Sequence, residues 1–313
     1  MKIDIHAHWW PRKAAQTLLA KAGSGIDPIT LAYLQRRESS TAANDLDLRF
    51  RFMDRHPDVL HVLTISNPPV EAFVGPKDTA EVSKMANDEL AELVVNYPDR
   101  FVAAAAILPM NDIDLALKEC DRAITELGLK GIRLYTNIMG EALDSPRLRP
   151  LYEKMDSYDL PIWLHPTDMP PLSVGNQGPL AWEYETSKAM LTLASSWVLQ
   201  DFPNLKIITH HLGAMIPFFE QRIRWSAPNP NTHPNLRKFY NDTALCLSPA
   251  ALMCGYAFFG ADHILFGTDM PYGRPPAGFV EWTLRAVDQM DITQVEKDKI
   301  YLENAVNLLR LPV

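Results

Sequence analysis

Met1-Lys2-Ile3-Asp4-Ile5-His6-Ala7-His8 reads as a short buried strand that ends in His-x-His. Side chains along a strand alternate between faces, so His6 and His8 point the same way. Two imidazoles side by side at the end of a buried strand are half of a metal site. What the chain is turns on which later strands supply the other half.

Outward from this strand, the stretch from Trp9 to Asp47 is polar and irregular. It is expected as a small insertion over the end of the first strand, at about 9–48, with helical pieces at 12–22 and 28–37. A helix at 49–55 follows. The pattern then becomes regular. Apolar strands are expected at 59–65, 101–107, 129–135, 161–165, 205–210, 239–245 and 263–268. Amphipathic helices are expected at 79–96, 112–127, 147–158, 186–201, 216–225, 248–259, 278–290 and 294–309. Continuous apolar strands alternating with helices mean a parallel sheet covered by helices. Eight such units predict an α/β fold, a (β/α)8 TIM barrel in a single domain over 1–313. No glycine-rich dinucleotide turn follows the first strand, which argues against an open doubly wound sheet. The segment 168–185, with Trp182 and Tyr184, is expected as a long loop over the mouth.

The 313 residues are 47% hydrophobic, enough for a large core, and 30 basic against 38 acidic residues give a net charge of −8. Without a Lys/Arg run, nucleic acid and anionic membranes are not expected partners. Cys120, Cys246 and Cys254 are far apart and show no CxxC spacing, which points away from a thiolate metal site and toward a reducing cytoplasm. No leader-like or bilayer-length apolar run is present, so a cytoplasmic enzyme is the expectation.

In a (β/α)8 barrel the carboxyl ends of the strands form the active face. Strand one ends in His6 and His8, strand five in Trp163-Leu164-His165-Pro166, strand six in Thr209-His210-His211-Leu212-Gly213, and strand eight in Phe266-Gly267-Thr268-Asp269. Three imidazoles and a carboxylate suit Zn²⁺, with Mn²⁺ or Fe²⁺ as alternatives. His6, His8, His165 and Asp269 are the expected ligands of one divalent ion, although an aspartate in the place of Asp269 also suits a helix N-cap. Strand alternation turns only one of His210 and His211 inward, and His211 is the expected acid or base beside the metal. Trp10 and Trp182 lie near the mouth, and Trp182 is a candidate substrate contact.

These motifs, together with Pro203-Asn204-Leu205-Lys206-Ile207-Ile208-Thr209, Ile264-Leu265-Phe266-Gly267-Thr268-Asp269-Met270-Pro271, Tyr97-Pro98-Asp99-Arg100-Phe101 and Leu108-Pro109-Met110, resemble the amidohydrolase superfamily. The likeness runs in order over essentially the whole chain. It is narrowest to the branch of α-amino-β-carboxymuconate-ε-semialdehyde decarboxylase and γ-resorcylate decarboxylase. The resemblance implies that His6, His8, His165 and Asp269 hold the metal. It implies that His211, six residues before Pro217, is the catalytic histidine. It also implies that Arg222 reaches a neighbouring subunit's site and grips a substrate carboxylate, which makes the working unit a homodimer or larger. Binuclear members of the superfamily carry a carboxylated lysine at the end of strand four, whereas Lys130 is at the other end of that strand, which implies one metal. The arginine that grips substrate within the same subunit has only Arg36, Arg37 and Arg49 as candidates.

The implied activity is non-oxidative decarboxylation of a small unsaturated or aromatic acid, a carboxy-lyase reaction with Asp269 or a His211-held water as proton source. Hydrolysis of a lactone, ester or amide, or hydration of a conjugated diacid, would use the same parts.

Overall fold

A computed structural model of the protein describes residues 1–22, 31, 35, 41–167, 178–245, 248–273 and 278–312. Eight parallel strands form in chain order: β1 (Lys2–His8), β2 (Val59–Thr64), β3 (Phe101–Ala104), β4 (Ile132–Tyr135), β5 (Ile162–His165), β6 (Ile207–Thr209), β7 (Tyr240–Asp242) and β8 (Ile264–Leu265). Each pairs with the next within two arcs, β1 to β3 and β4 to β8. The Ala106–Ile132 bridge joins β3 to β4. The Ala7–Met270 bridge and the Ile5 N–H to Phe266 carbonyl bond at 2.9 Å join β8 to β1, so the sheet closes on itself as a (β/α)8 barrel.

The helices form the outer layer. In chain order they are α1 (Arg12–Ala22), α2 (Leu46–Met53), α3 (Pro76–Asn96), α4 (Ile113–Thr125), α5 (Arg149–Tyr158), α6 (Pro179–Ser195), α7 (Val198–Asp201), α8 (Glu220–Ser226), α9 (Thr232–Leu236), α10 (Pro249–Phe259), α11 (Gly278–Asp288), α12 (Gln294–Asp298) and α13 (Asn304–Leu309). Asp45, Asp112 and Ser248 cap α2, α4 and α10 by accepting a backbone N–H. Pro76 and Pro179 sit in the first turns of α3 and α6, where a proline costs no intrahelical bond. The helices start three and seven residues earlier than expected from the apolar stripe alone. The expected loop through residue 185 is therefore helical from Pro179, while 168–177 lie outside the described residues. Of the helix expected at 28–37 only residues 31 and 35 are described, both helical, and the rest of it lies outside the described residues with part of the insertion. The last predicted helix is broken by a π-turn at Lys299–Glu303.

Two apolar layers result. Leu63, Ile132, Leu164 and Phe266 pack outward against the helices. Ile3, Ile5, Val62, Ala103, Trp163, Ile208 and Leu265 fill the barrel's interior. One irregularity sets up everything at the mouth. The β1–β2 register slips between Asp4 and Ala7, where three steps on β1 face two on β2. Strict alternation with Ile3 and Ile5 inside would send His6 and His8 outward. The bulge resets the phase, so Ile5 packs in the inner layer and His6 and His8 still turn inward.

Candidate metal centre and active site

Four imidazole rings converge at the carboxyl ends of β1, β5 and β6. His6 lies 4.2 Å from His210 between ring centroids, His165 lies 5.1 Å from His210, and His8 lies 5.1 Å from His165. All four are buried. All four meet a neighbour at Nδ1, His8, His165 and His210 in hydrogen bonds and His6 in a close ionic contact. His165 Nδ1 donates to its neighbour Pro166's carbonyl at 2.7 Å, His8 Nδ1 meets Thr64 Oγ1 at 3.0 Å, and His6 Nδ1 lies 2.6 Å from Asp242 Oδ2. Holding Nδ1 in this way leaves each Nε2 free to ligate. The Nε2 atoms of His6 and His8 are buried without a hydrogen-bond partner among the described residues, and His8 Nε2 lies 3.0 Å from Asp269 Oδ1. The ligating atoms of His8, His165 and His210 all lie within 4.8 Å of one another, as do those of His210, His211 and Asp269. Orphaned imidazole nitrogens facing a carboxylate are a donor set that fits a divalent transition-metal ion.

Asp242, at the end of β7, holds the group together. Its Oδ2 takes the Nδ1 of His210 in a short hydrogen bond as well as contacting His6, and its Oδ1 accepts from the backbone N–H groups of His211 and Ala244 at 3.0 and 2.9 Å. A Cβ at Gly267 would stand 2.7 Å from the Asp242 Cβ, so only glycine leaves room for the carboxylate's arm. Asp4 works from the outer side of β1. It accepts from the backbone N–H of His6 and Thr268 and from the Thr268 hydroxyl, at 3.1, 3.0 and 2.5 Å, tying β8's end to β1.

Electrostatics follow from this packing. Burial pushes His6 down to about 3 and His8 to about 4, keeping both neutral. Burial alone would also lower His210, but Asp242 and Asp269 outweigh it and raise this imidazole to about 10. Burial would raise the two carboxyls, yet the imidazoles on them hold both well below the usual range.

The mouth opens into a cavity of about 310 Å³. His165, His211 and Asp269 reach it, and Trp182, Tyr272 and Phe279 wall it. His6 and His8 lie in the floor beneath. The expectation that only one of His210 and His211 turns inward is corrected. β6 ends at Thr209, and His211 takes a left-handed backbone at φ 55°, followed by Leu212 at φ 52°. Beyond the strand's end the period-two rule no longer applies, and both rings enter the site, stacked 3.9 Å apart. His211 Nδ1 lies 2.8 Å from Glu183 Oε1 on α6.

Arg222 stands elsewhere. It lines a separate groove with Tyr184, Met215, Phe219 and Ile223 and does not reach its own chain's cavity. Arg49 is buried, with its guanidinium on the carbonyls of His8 and Ala42 and near His61 Nδ1, so it braces β1 and is not free to grip a substrate. Arg36 and Arg37 lie outside the described residues. Trp10 is packing: its Nε1 donates to the carbonyls of Ser66 and Asn67. Sequence reasoning passed over His210's central place, Asp242, Glu183 and Tyr272. Asp242 had a signal, since Tyr240-Asn241-Asp242 ends a barrel strand as His165 does. Glu183 had none, because its role depends on how α6 packs.

The amidohydrolase family model matches residues 3–311. This chain belongs to the amidohydrolase family. Within the family it is 30% identical to the γ-resorcylate decarboxylase of Polaromonas sp. strain JS666, over 85% of this chain and 87% of that one. It is 29% identical to the 2-amino-3-carboxymuconate-6-semialdehyde decarboxylase of Dictyostelium discoideum, over 87% and 82%. Among solved structures it superposes on a dihydroxybenzoic acid decarboxylase from Polaromonas sp. JS666 with a TM-score of 0.80 at 28% identity, covering 99% and 96% of the two chains. That structure holds manganese and the inhibitor 2-nitroresorcinol. The chain is an enzyme of the family's metal-dependent decarboxylase branch. No described helix is long and apolar enough to cross a membrane.

Proposed function

We propose that this protein is a carboxy-lyase that removes CO2 without oxidation from a small aromatic or unsaturated acid. The reading is carried by the meeting, in one small cavity, of Asp269 and His211 with unpartnered imidazole nitrogens beneath them. His6, His8, His165 and Asp269 hold one divalent ion, zinc first and manganese or iron as alternatives, and His210 stands ready beside them. When bound, the metal supplies Lewis acidity and a template for the substrate's carboxylate and adjacent oxygen.

The chain's own groups do the rest. Trp182, Tyr272 and Phe279 offer apolar walls to a flat substrate and exclude water. Asp269, or a water held by His211, delivers a proton to the carbon that bears the carboxylate. The new C–H bond interrupts conjugation, the C–C bond to the carboxylate breaks, and its electrons return to the ring as CO2 leaves. His210 Nε2, 3.3 Å from Asp269 Oδ1 and backed by Asp242, is placed to replace that proton.

Arg222 of the partner subunit completes the pocket by pairing with a substrate carboxylate. The exposure of Phe218 and Trp225 beside Arg222 on this chain supports a homodimer or larger assembly through that face. We place the enzyme in the cytoplasm, which suits the unpaired Cys120 and Cys254.

The test is CO2 release from metal-loaded protein across hydroxybenzoates and unsaturated dicarboxylic acids, beside Asp269→Asn. Release by the native enzyme and its loss in the variant are expected. Activity retained in Asp269→Asn, or turnover of lactones with none of the acids, would sink the reading.

A further inference from the structure

We propose that Glu183 is a positioning residue for His211, and that α6 acts as a clamp setting where this imidazole points. The inference rests on the decarboxylase reading above and adds a residue to its machinery.

The turn that carries His211 needs holding. Three non-glycine residues, His211, Leu212 and Ala214, have φ of 55°, 52° and 56° within four positions. Such a backbone is disfavoured for side chains with a Cβ and persists only where surrounding contacts over-determine it. Asp242 fixes the start of the turn through the His211 N–H. α6 fixes the rest, from residues one helical turn apart. Glu183 Oε1 lies 2.8 Å from His211 Nδ1. Ser187 Oγ accepts the Met215 N–H at 3.0 Å and donates to the Glu183 carbonyl at 2.7 Å, so one hydroxyl ties the turn to the same helical step.

A carboxylate on Nδ1 has a defined effect. The 2.8 Å contact is an ion-pair approach and not an aligned hydrogen bond, and its negative charge favours the proton on Nδ1 and leaves Nε2 as an acceptor, the tautomer a water-holding imidazole needs. The second Glu183 oxygen is buried with no hydrogen-bond partner among the described residues, so none of their donors draws the carboxylate away. Trp182, the preceding residue, walls the cavity. A substrate pressing on Trp182 therefore bears on the helical turn that orients His211.

The experiment compares Glu183→Gln, Glu183→Ala and Ser187→Ala with the native holoenzyme, reading kcat, KM, metal content and the His211 tautomer by ¹⁵N NMR of the imidazoles. Losses at groups that orient ligands are typically about 10- to 100-fold. The expectation is a fall of that size in kcat for Glu183→Ala, a smaller one for Glu183→Gln, and KM changed by less than about threefold. Metal content should stay native, and the His211 resonances should shift from the Nδ1–H form toward a mixture. Ser187→Ala should show the same direction weakly. A native tautomer signature in Glu183→Ala, or a kcat loss that merely tracks lost metal, would overturn the proposal. The tautomer is read without turnover, so an enzyme that releases no CO2 from any acid refutes the decarboxylase reading and leaves this one judged on its own.

Discussion

Tyr135 stands between two buried polar regions that treat charge in opposite ways. On one side its ring is 6.2 Å from that of His165 in the histidine cluster, where two carboxylates, Asp242 and Asp269, face the one raised histidine, His210. On the other side the Arg133 guanidinium lies 4.3 Å from the same ring, and none of its three nitrogens has a hydrogen-bond partner among the described residues. Glu71 is buried near it, in a cavity with apolar walls from Ile65, Val70 and Leu108, and the two form no ion pair among the described residues. The centre is a network in which each charge is met. The Arg133 side is a charge met by the face of the Tyr135 ring and by no hydrogen bond among the described residues. Removing a partner should therefore damage the first region, and removing the charge itself should relieve the second.

The largest effect is expected at Asp242. Asp242→Asn keeps an oxygen for the backbone donors of His211 and Ala244, but turns an NH2 toward the Nδ1 atoms of His6 and His210. Those rings must then carry their protons on Nε2, and His6 loses the lone pair it offers to a metal. Metal affinity should fall about 10- to 100-fold. Taking away one partner of a buried pair should cost about 3–5 kcal/mol of stability in the metal-free protein. Calorimetric titration with zinc and denaturant unfolding measure the two. Native values for both would mean Asp242 is not the hub the geometry makes it.

The same contrast explains what could be read from sequence. Strand ends could be read because the barrel fold maps them onto one face: His6, His8, His165 and Asp269 needed only the alternation of strands and helices to be brought together. The β1 bulge could not be read, because Ile5 and His6 share a face only through a register slip against β2. The two-histidine end of β6 was misjudged for a related reason. Alternation was extended past Thr209 into a left-handed turn. Arg133 gave no sign at all, since a basic residue in a strand reads as solvent-facing until the barrel closes around it.

The second region gives the next effect. Burial pushes Glu71 up to about 7 from 4.5, against a weaker pull from Arg133. The folded protein thus keeps a proton that the unfolded chain releases, and Glu71's contribution to stability is full below about pH 4.5 and lost as pH rises toward 7. The shift corresponds to about 3 kcal/mol. Glu71→Gln cannot ionise, so its stability relative to the native protein should be level near pH 4.5 and ahead by up to that amount at pH 8. Parallel stability curves would show that Glu71 ionises without penalty, and the contrast between the regions would blur.

The smallest effect sharpens the comparison most. Arg133→Met keeps the length and the apolar stem that packs beside Tyr135, and takes away a guanidinium with no partner. Replacing buried charge with apolar volume is often neutral or stabilising. The expected change is a gain of about 1 kcal/mol in denaturant unfolding. It should come with a further rise in the Glu71 pKa, because one of the charges pulling that pKa down is gone, with Arg147 and the backbone N–H of Glu71 left. A loss of more than about 2 kcal/mol would mean that Arg133 is held by ordered water in its cavity, since only a lost partner leaves a deficit of that size. The two regions would then follow one rule, with water doing at Arg133 what Asp242 does at the histidines.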